Sequence, residues 1–310
     1  PFKEINCIYS IFKILKNVNP DLLHLITLKP YIYGGLINRF FLKKSIVISV
    51  AGLGLLVSNE SKSMLIKSVV IFLMKISFKN SHLKIITQNT QDTNFLVTNN
   101  ICSIEKVKLI RGSGVNLDKY RLIKENSDSF VCTFASRLII DKGVKEFIHA
   151  ANRLIHYDIK FWVVGEPDDN NPKSISIEEL RLISNNPNIE FLGYRSDMEN
   201  IFQSSNIVVY PSYYGEGLPK VLIEASACGR PIITTDHPGC RDAILNNITG
   251  FLCKVRDIDS IVDGILKLFK DNKLRASFGN EARAFAEKNF NVLDVVDEHI
   301  NIYKQLINND

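Results

Sequence analysis

The chain has 310 residues, enough for two α/β cores. Its 45% hydrophobic and 23% charged residues are a globular balance, which excludes a disordered or repeat-built chain. A net charge of +5 permits an anionic partner, and with neither zinc-finger spacing nor an aromatic–basic platform motif no nucleic-acid partner is expected.

The chain opens at Pro1 in mid-pattern, so part of its N-terminal region is expected to lie upstream. From about Asn17 onward, short apolar strands alternate with amphipathic helices. Residues 22–27 (LLHLIT), 45–51 (SIVISVA), 83–88 (LKIITQ) and 107–111 (VKLIR) read as strands, with helices at about 31–42, 61–78 and 90–101. This alternation predicts a parallel sheet with crossover helices. The run MLIKSVVIFLMKISF at 64–78 is interrupted by Lys67 and Lys75 and is too short to span a bilayer. It reads either as a half-buried surface helix or as a helix lying in a membrane interface.

Residues 118–129 (DKYRLIKENSDS) are polar and form the linker candidate. Six strands follow, at 130–135, 160–164, 189–192, 207–210, 231–234 and 251–254. Helices at 143–156, 175–185, 197–204, 218–228 and 258–270 separate them, and two more at 272–288 and 293–308 close the chain. The division expected is an N-terminal Rossmann-like domain at 1–120, a C-terminal one at 121–290, and a helical segment at 291–310 that packs back on the first. The six cysteines are scattered, several in apolar runs, and read as small hydrophobes in a reducing compartment. The triplets Asn59-Glu60-Ser61 and Asn247-Ile248-Thr249 have no signal peptide before them and are set down to chance.

Open parallel sheets bind ligands beyond the carboxyl ends of their strands. The densest signal there is residues 210–230, YPSYYGEGLPKVLIEASACGR. A strand ends at Tyr210, a loop holds Ser212, Gly215, Glu216 and Gly217, and a helix begins near Leu218, Pro219 and Lys220. Glycines let backbone approach a ligand, and the free amides at a helix start favour an anion such as a diphosphate. Glu224 sits in an otherwise apolar helical stretch. A carboxylate is costly to bury there without donors, which a ribose diol would supply. The plain alternative is a solvated loop charge at Glu216 and an ion-paired Glu224.

The second signal is FASRLIIDKGV, where a strand runs into Arg137 and Lys142 precedes a helix. These cations would neutralise a leaving diphosphate; otherwise they are surface charges. Gly165 ends the strand of WVVGEP, and Gly193-Tyr194 ends the next, where backbone groups would read a base edge. The D-x-D at Asp257 and Asp259 reads as a helix N-cap, and no catalytic metal or cofactor is expected. Gly52-Leu53-Gly54 lacks the third glycine of a dinucleotide fingerprint, with Val57 in its place, and the histidines show no ligand spacing.

Together these stretches resemble retaining glycosyltransferases of family 4, which have the two-domain GT-B fold. FASRLIIDKGV, WVVGEP, FLGYRSDM, YPSYYGEGLPKVLIEASACGRPIITTD, PGCRDAI and TGFLCKVRD match in the family's order across the second domain, and Glu216 and Glu224 form its E-x7-E motif. PDLLHLITLKP, SVAGLG and VKLIRGSGVNLDKY give a looser match in the first. Where many relatives carry a histidine after the second strand, this chain has Ala51.

The resemblance implies that Glu224 binds the ribose, that Glu216 lies by the donor sugar, and that the 217–220 backbone (Gly217, Leu218, Pro219, Lys220) holds sugar and phosphate. It implies that Arg137 and Lys142 hold the diphosphate; Gly165, Tyr194 and Ser212 are further nucleotide-sugar contacts, and Gly52 is an acceptor-side residue. It points to a UDP-hexose or UDP-N-acetylhexosamine donor and a polyprenyl-diphosphate-linked glycan acceptor in O-antigen-type polysaccharide synthesis. A cytoplasmic enzyme held peripherally on the inner face of the membrane is expected, working without metal. The family's first strand, Gly-rich loop and helix would precede Pro1. The rival readings are a nucleotide-sugar epimerase on the same fold and a non-catalytic binding subunit.

Overall fold

The computed structural model describes residues 2–57, 64–125 and 129–308. Two compact units divide the chain: Pro1–Gly112 with Gly215–Leu218 and Asp294–Asp310, and Ser113–Tyr214 with Pro219–Leu293. The start of the helix read at 61–78, the Asn59 triplet and the middle of the polar 118–129 stretch fall on 58–63 and 126–128, outside the described residues.

The first unit opens with α1 (Phe2–Val18), a helix that the sequence reading left unassigned. Apolar residues recur at Ile5, Ile8, Phe12 and Leu15, a spacing of three and four that supports one helix face. Strands β1 (Leu22–Ile26), β2 (Ser45–Val50), β3 (Leu83–Thr87) and β4 (Val107–Leu109) form a parallel sheet in chain order. The connecting helices are α2 (Leu28–Ile37), α3 (Gly54–Val57), α4 (Met64–Ser77) and α5 (Thr90–Thr98).

Helix α2 starts three residues before the expected 31. Pro30 is tolerated because the first turn of a helix needs no N–H from it. It runs into a π-helical turn at Asn38–Leu42, closed by Lys43 N–H donating to Asn38 O at 2.7 Å with Lys43 left-handed at φ 55°. The buried Asn38 clips this turn, donating to Lys44 O at 2.8 Å and accepting from Lys44 N at 2.9 Å.

All six β2 residues are buried, which explains an apolar run without alternation. Ile46, Ile48 and Val50 face a core with Leu23, Tyr31, Met74 and Phe78.

The second unit is a six-stranded parallel sheet. Its strands are β5 (Phe130–Ala135), β6 (Ile159–Val164), β7 (Ile189–Gly193), β8 (Ile207–Tyr210), β9 (Ile232–Thr235) and β10 (Gly250–Cys253). Their order, β10-β9-β8-β5-β6-β7, is that of a doubly wound sheet. Helices α6 (Val144–Arg153), α7 (Ile177–Leu182), α8 (Met198–Ser204), α9 (Lys220–Ala227), α10 (Ile258–Lys270) and α11 (Asn272–Asn289) complete it. After β7 the chain crosses to the far side of β5, so the strand order reverses between β5 and β8. Asp257 caps α10 by accepting from Ser260 N at 3.2 Å. Burial pushes the Cys228 and Cys253 thiols up to about 12, so both behave as apolar side chains.

The last helix, α12 (Val292–Ile307), covers the other face of the first unit's sheet. Val295, Ile302 and Leu306 pack on Val47, Ile86 and Ile110. Each buried side chain of this size contributes about 1.5–3 kcal/mol. A polar clip adds orientation: Tyr303 Oη lies 2.7 Å from His24 Nδ1, and His24 Nε2 lies 2.6 Å from Ser49 Oγ. Among the described residues, no helix is long and apolar enough to cross a membrane.

Candidate active site

In the second unit, the reversal of strand order parts the loops after β5 and β8, the place where a doubly wound sheet receives a ligand. A cavity of about 370 Å³ opens at the carboxyl ends of β5, β6 and β7. Arg137, Gly165, Tyr194 and Glu224, four residues nominated from sequence, line it, together with Arg195 and Met198. Gly165 permits the strand ends to converge. Its φ is +135°, and a Cβ there would fall 1.7 Å from Ser136 O.

Arg137 is more than half exposed and donates from Nη1 to Asp168 Oδ2 at 2.5 Å, which leaves most of its five N–H groups for another anion. Lys142 is buried at the end of a 3₁₀ turn. Its Nζ donates to Tyr210 Oη at 2.9 Å and lies 4.6 Å from the centroid of the Tyr214 ring. Gly143 follows at φ +83°, and a Cβ there would lie 2.3 Å from Pro211 O, so the turn and the loop after β8 are pressed together. Ser212 is fully buried in that loop, its hydroxyl 3.4 Å from Asp141 O and its carbonyl accepting from Thr235 Oγ1.

Helix α9 begins after Pro219, which takes the cap position without a side-chain hydrogen bond; Leu222 N donates to Pro219 O at 3.1 Å, and the amides of Lys220 and Val221 precede it at the helix start. Glu224 lies one turn on and is 8% exposed. Its Oε1 accepts from Tyr120 Oη at 2.9 Å, with Lys220 Nζ at 3.7 Å. Burial pushes the Glu224 carboxyl above the usual carboxylate range, opposed by the Tyr120 hydrogen bond and by Lys220. Burial and the Glu224 charge push the Tyr120 phenol up. The sequence reading missed Tyr120 because it stands in a polar stretch taken as a linker.

The first unit holds the remaining nominees. Gly52, after β2, has φ +112°, and a Cβ there would fall 2.7 Å from Gly217 N. Gly217 N donates to Ala51 O at 3.1 Å, Leu218 N to Gln88 Oε1 at 3.3 Å, and Asn89 Nδ2 to Gly217 O at 3.4 Å. A Cβ on Gly54 would come within 2.0 Å of Gly215 Cα. Residues 215–218, with a half-buried Glu216, are therefore seated on the carboxyl ends of β2 and β3 through glycine backbones. Gln88 and Asn89 were missed. Their only sequence signal is the polar pair that ends a strand and caps α5, where Asn89 accepts from Asp92 N at 2.8 Å.

A larger cavity of about 540 Å³ in the second unit, lined by Arg230, Arg275 and Glu125, lies at the opposite, amino-terminal strand ends beside Phe130 and Asn206. Among the described residues, no group of three or more His, Cys, Asp or Glu side chains is placed to hold a metal ion.

Comparison with known proteins gives the family and the fold. The family described as "Glycosyl transferases group 1" matches residues 119–285, and "Glycosyl transferase 4-like" matches residues 1–89. A Campylobacter jejuni relative, N,N'-diacetylbacillosaminyl-diphospho-undecaprenol alpha-1,3-N-acetylgalactosaminyltransferase, is 30% identical over all of this chain and 83% of its own length. An Escherichia coli relative, UDP-Gal:alpha-D-GlcNAc-diphosphoundecaprenol alpha-1,3-galactosyltransferase, is 25% identical over 99% of this chain and 81% of its own. Among solved structures, HepE of Anabaena in complex with UDP superposes with a TM-score of 0.81 at 18% identity, covering 96% of this chain and 82% of that one. A glycosyltransferase from Rickettsia africae gives 0.81 at 22% identity, covering 100% and 83%.

Proposed function

This chain belongs to the group 1 glycosyl transferases, family 4 with the GT-B fold, and we propose that it moves a hexosyl or N-acetylhexosaminyl group from a UDP-sugar to a saccharide on a polyprenyl diphosphate, with retention at the anomeric carbon. The observation that carries the reading is the cavity at the carboxyl ends of β5, β6 and β7, beside the strand-order reversal, where Arg137, Gly165, Tyr194 and Glu224 converge. The base rests near Gly165 and Tyr194. The ribose diol donates to Glu224, whose carboxylate has acceptor capacity beyond the Tyr120 hydrogen bond. The diphosphate lies against the first amides of α9, with Arg137 and Lys142 supplying positive charge.

As the bond from the anomeric carbon to the diphosphate oxygen breaks, negative charge grows on the leaving phosphate. Fixed donors stabilise it there without reorganising. Glu216 orients the donor sugar. The leaving phosphate, on the same face as the acceptor, takes the acceptor hydroxyl's proton. No metal is required, because cations and helix amides answer the diphosphate charge.

The two relatives' names specify undecaprenol-diphosphate acceptors, which supports a lipid-linked acceptor in bacterial surface-polysaccharide synthesis. The enzyme then works peripherally at the cytoplasmic face of the membrane. The outward stripe of α4, with Leu65, Val69 and Phe72 exposed and Lys75 at its end, supports that contact.

The test is transfer from UDP-galactose, UDP-GlcNAc and UDP-GalNAc to short lipid-diphosphate saccharides, with the product's anomeric configuration read by NMR. An α-linked product from an α-donor is expected. An inverted product would refute retention, and interconversion of free UDP-sugars without acceptor would favour an epimerase.

A further inference from the structure

We propose that the first unit binds the phosphate of an anionic phospholipid headgroup in a pocket at the amino-terminal edge of its sheet; this deepens the membrane reading above and rests on it. The sequence supplies the charge. Between Leu22 and Gln91 there are nine Lys or Arg residues and one carboxylate, Glu60. The fold concentrates part of that charge. A pocket of about 330 Å³ is lined by Arg39, Phe40, Lys43, Lys79, Asn80 and Ser81, with no acidic residue among them.

Two short segments build it. One is the π-helical turn Asn38–Leu42 before β2, clipped by Asn38, and the other is the 79–81 loop before β3. Close packing of α2 on α4 brings them together: a Cβ on Gly35 would lie 2.8 Å from Ser77 Cβ. Arg39 donates to Lys79 O across the join, and Lys106 Nζ holds Asn80 O at 2.8 Å. Arg39 Nε and Asn80 Nδ2 are shielded from water and have no hydrogen-bond partner. The three cations Arg39, Lys43 and Lys79, with the Ser81 hydroxyl and no acidic neighbour in the lining, suit a phosphate diester.

The aromatic pair commits the occupant to a bilayer rather than a free anion. Phe40 and Phe41 are 59% and 67% exposed beside the cations. Exposed phenylalanines next to basic residues match a bilayer interface, where the rings insert at the headgroup–acyl boundary and the charge meets phosphate. The outward stripe of α4 ends at Lys75, and the chain then enters the pocket at Lys79. The pocket is not where the acceptor reacts. It precedes β2, whereas Gly52 follows β2, and a strand of that length separates them by roughly 17 Å.

The test is co-sedimentation of the full chain with vesicles of phosphatidylcholine alone and with phosphatidylglycerol added. Three variants accompany it: Arg39→Gln/Lys43→Gln/Lys79→Gln, Phe40→Ser/Phe41→Ser, and Phe41→Trp. The wild type is expected to bind the phosphatidylglycerol vesicles selectively. The triple variant should bind them about 100-fold more weakly, at roughly five-fold per basic residue, with UDP binding unchanged. The Phe→Ser pair should also weaken binding, and Phe41→Trp should give a blue-shifted emission only with those vesicles. Wild-type affinity in the triple variant would overturn the pocket while leaving the membrane reading standing. Displacement by inorganic phosphate beyond that by chloride of equal ionic strength would replace it with a soluble-anion site. A wild type that binds no vesicles would remove the membrane reading and the pocket together.

Discussion

At the residue scale, the ribose contact proposed for Glu224 asks a buried carboxyl to carry charge. Its carboxyl is pushed above the usual range by burial, with Tyr120 and Lys220 opposing. Only the ionised form accepts from both ribose hydroxyls. UDP affinity is therefore expected to fall as pH is lowered toward the ordinary glutamate range, with the fall beginning above that range. The stability sign is opposite. A raised folded value means that stability present at low pH is lost as pH rises through it. Glu224→Gln should thus flatten the pH dependence of UDP binding, weaken that binding at neutral pH, and leave Tm equal or higher. A variant with unchanged affinity and an unchanged pH profile would remove Glu224 from the nucleotide site. For Arg137, Arg137→Ala is expected to lower kcat/KM by about 10²–10³, by analogy with losing one oxyanion donor. In its ion pair with Asp168 the arginine side chain is more than half exposed, so its loss should cost no more than about 1 kcal/mol of stability. Arg137, Gly165 and Tyr194 were legible as residues where strands end, and Glu224 as a carboxylate in an otherwise apolar helical stretch. Tyr120 was not, because nothing local separates a tyrosine that reaches a carboxylate 104 residues away from one in a polar connector.

At the element scale, α12 is held by apolar contacts and by the Tyr303–His24–Ser49 chain of hydrogen bonds. Tyr303→Phe keeps the ring and deletes the bond to His24. It is expected to cost about 0.5–1.5 kcal/mol in urea denaturation; no change would mean that the bond adds nothing to the anchoring. Burial and the nearby His299 hold His24 below the ordinary histidine range. The unfolded chain then takes up the proton first, so this anchor weakens as pH falls through about 6.5. The strands were legible from their apolar runs, and SIVISV announced a strand covered on both faces. What covers each face is a long-range matter: α12 comes from the far end of the chain. Helix α1 was legible in its three-and-four spacing but passed over because the reading began at the first strand. The π-helical turn was not legible, since Asn38-Arg39-Phe40-Phe41-Leu42 continues a helical pattern and only the i→i−5 closure at Lys43 distinguishes it.

At the scale of the whole molecule, a sheet with a reversed strand order and a first unit of four parallel strands were both foreshadowed by strand–helix alternation. The seating of residues 215–218 on the first unit's strands was not, because it depends on glycine backbones in contact: Gly54 against Gly215, and Gly52 against Gly217. The charge neutralisation proposed for Arg137, Lys142 and the α9 amides leads us to expect full transfer activity in EDTA; activity strictly dependent on added Mn²⁺ or Mg²⁺ would contradict it. The most direct test of the central claim is calorimetric titration of UDP, GDP and ADP into the chain and into Glu224→Ala. The account predicts selective binding of UDP by the wild type and its loss in the variant. Failure to bind any of the three, or equal UDP affinity in Glu224→Ala, would contradict a nucleotide-sugar site at the strand-order reversal.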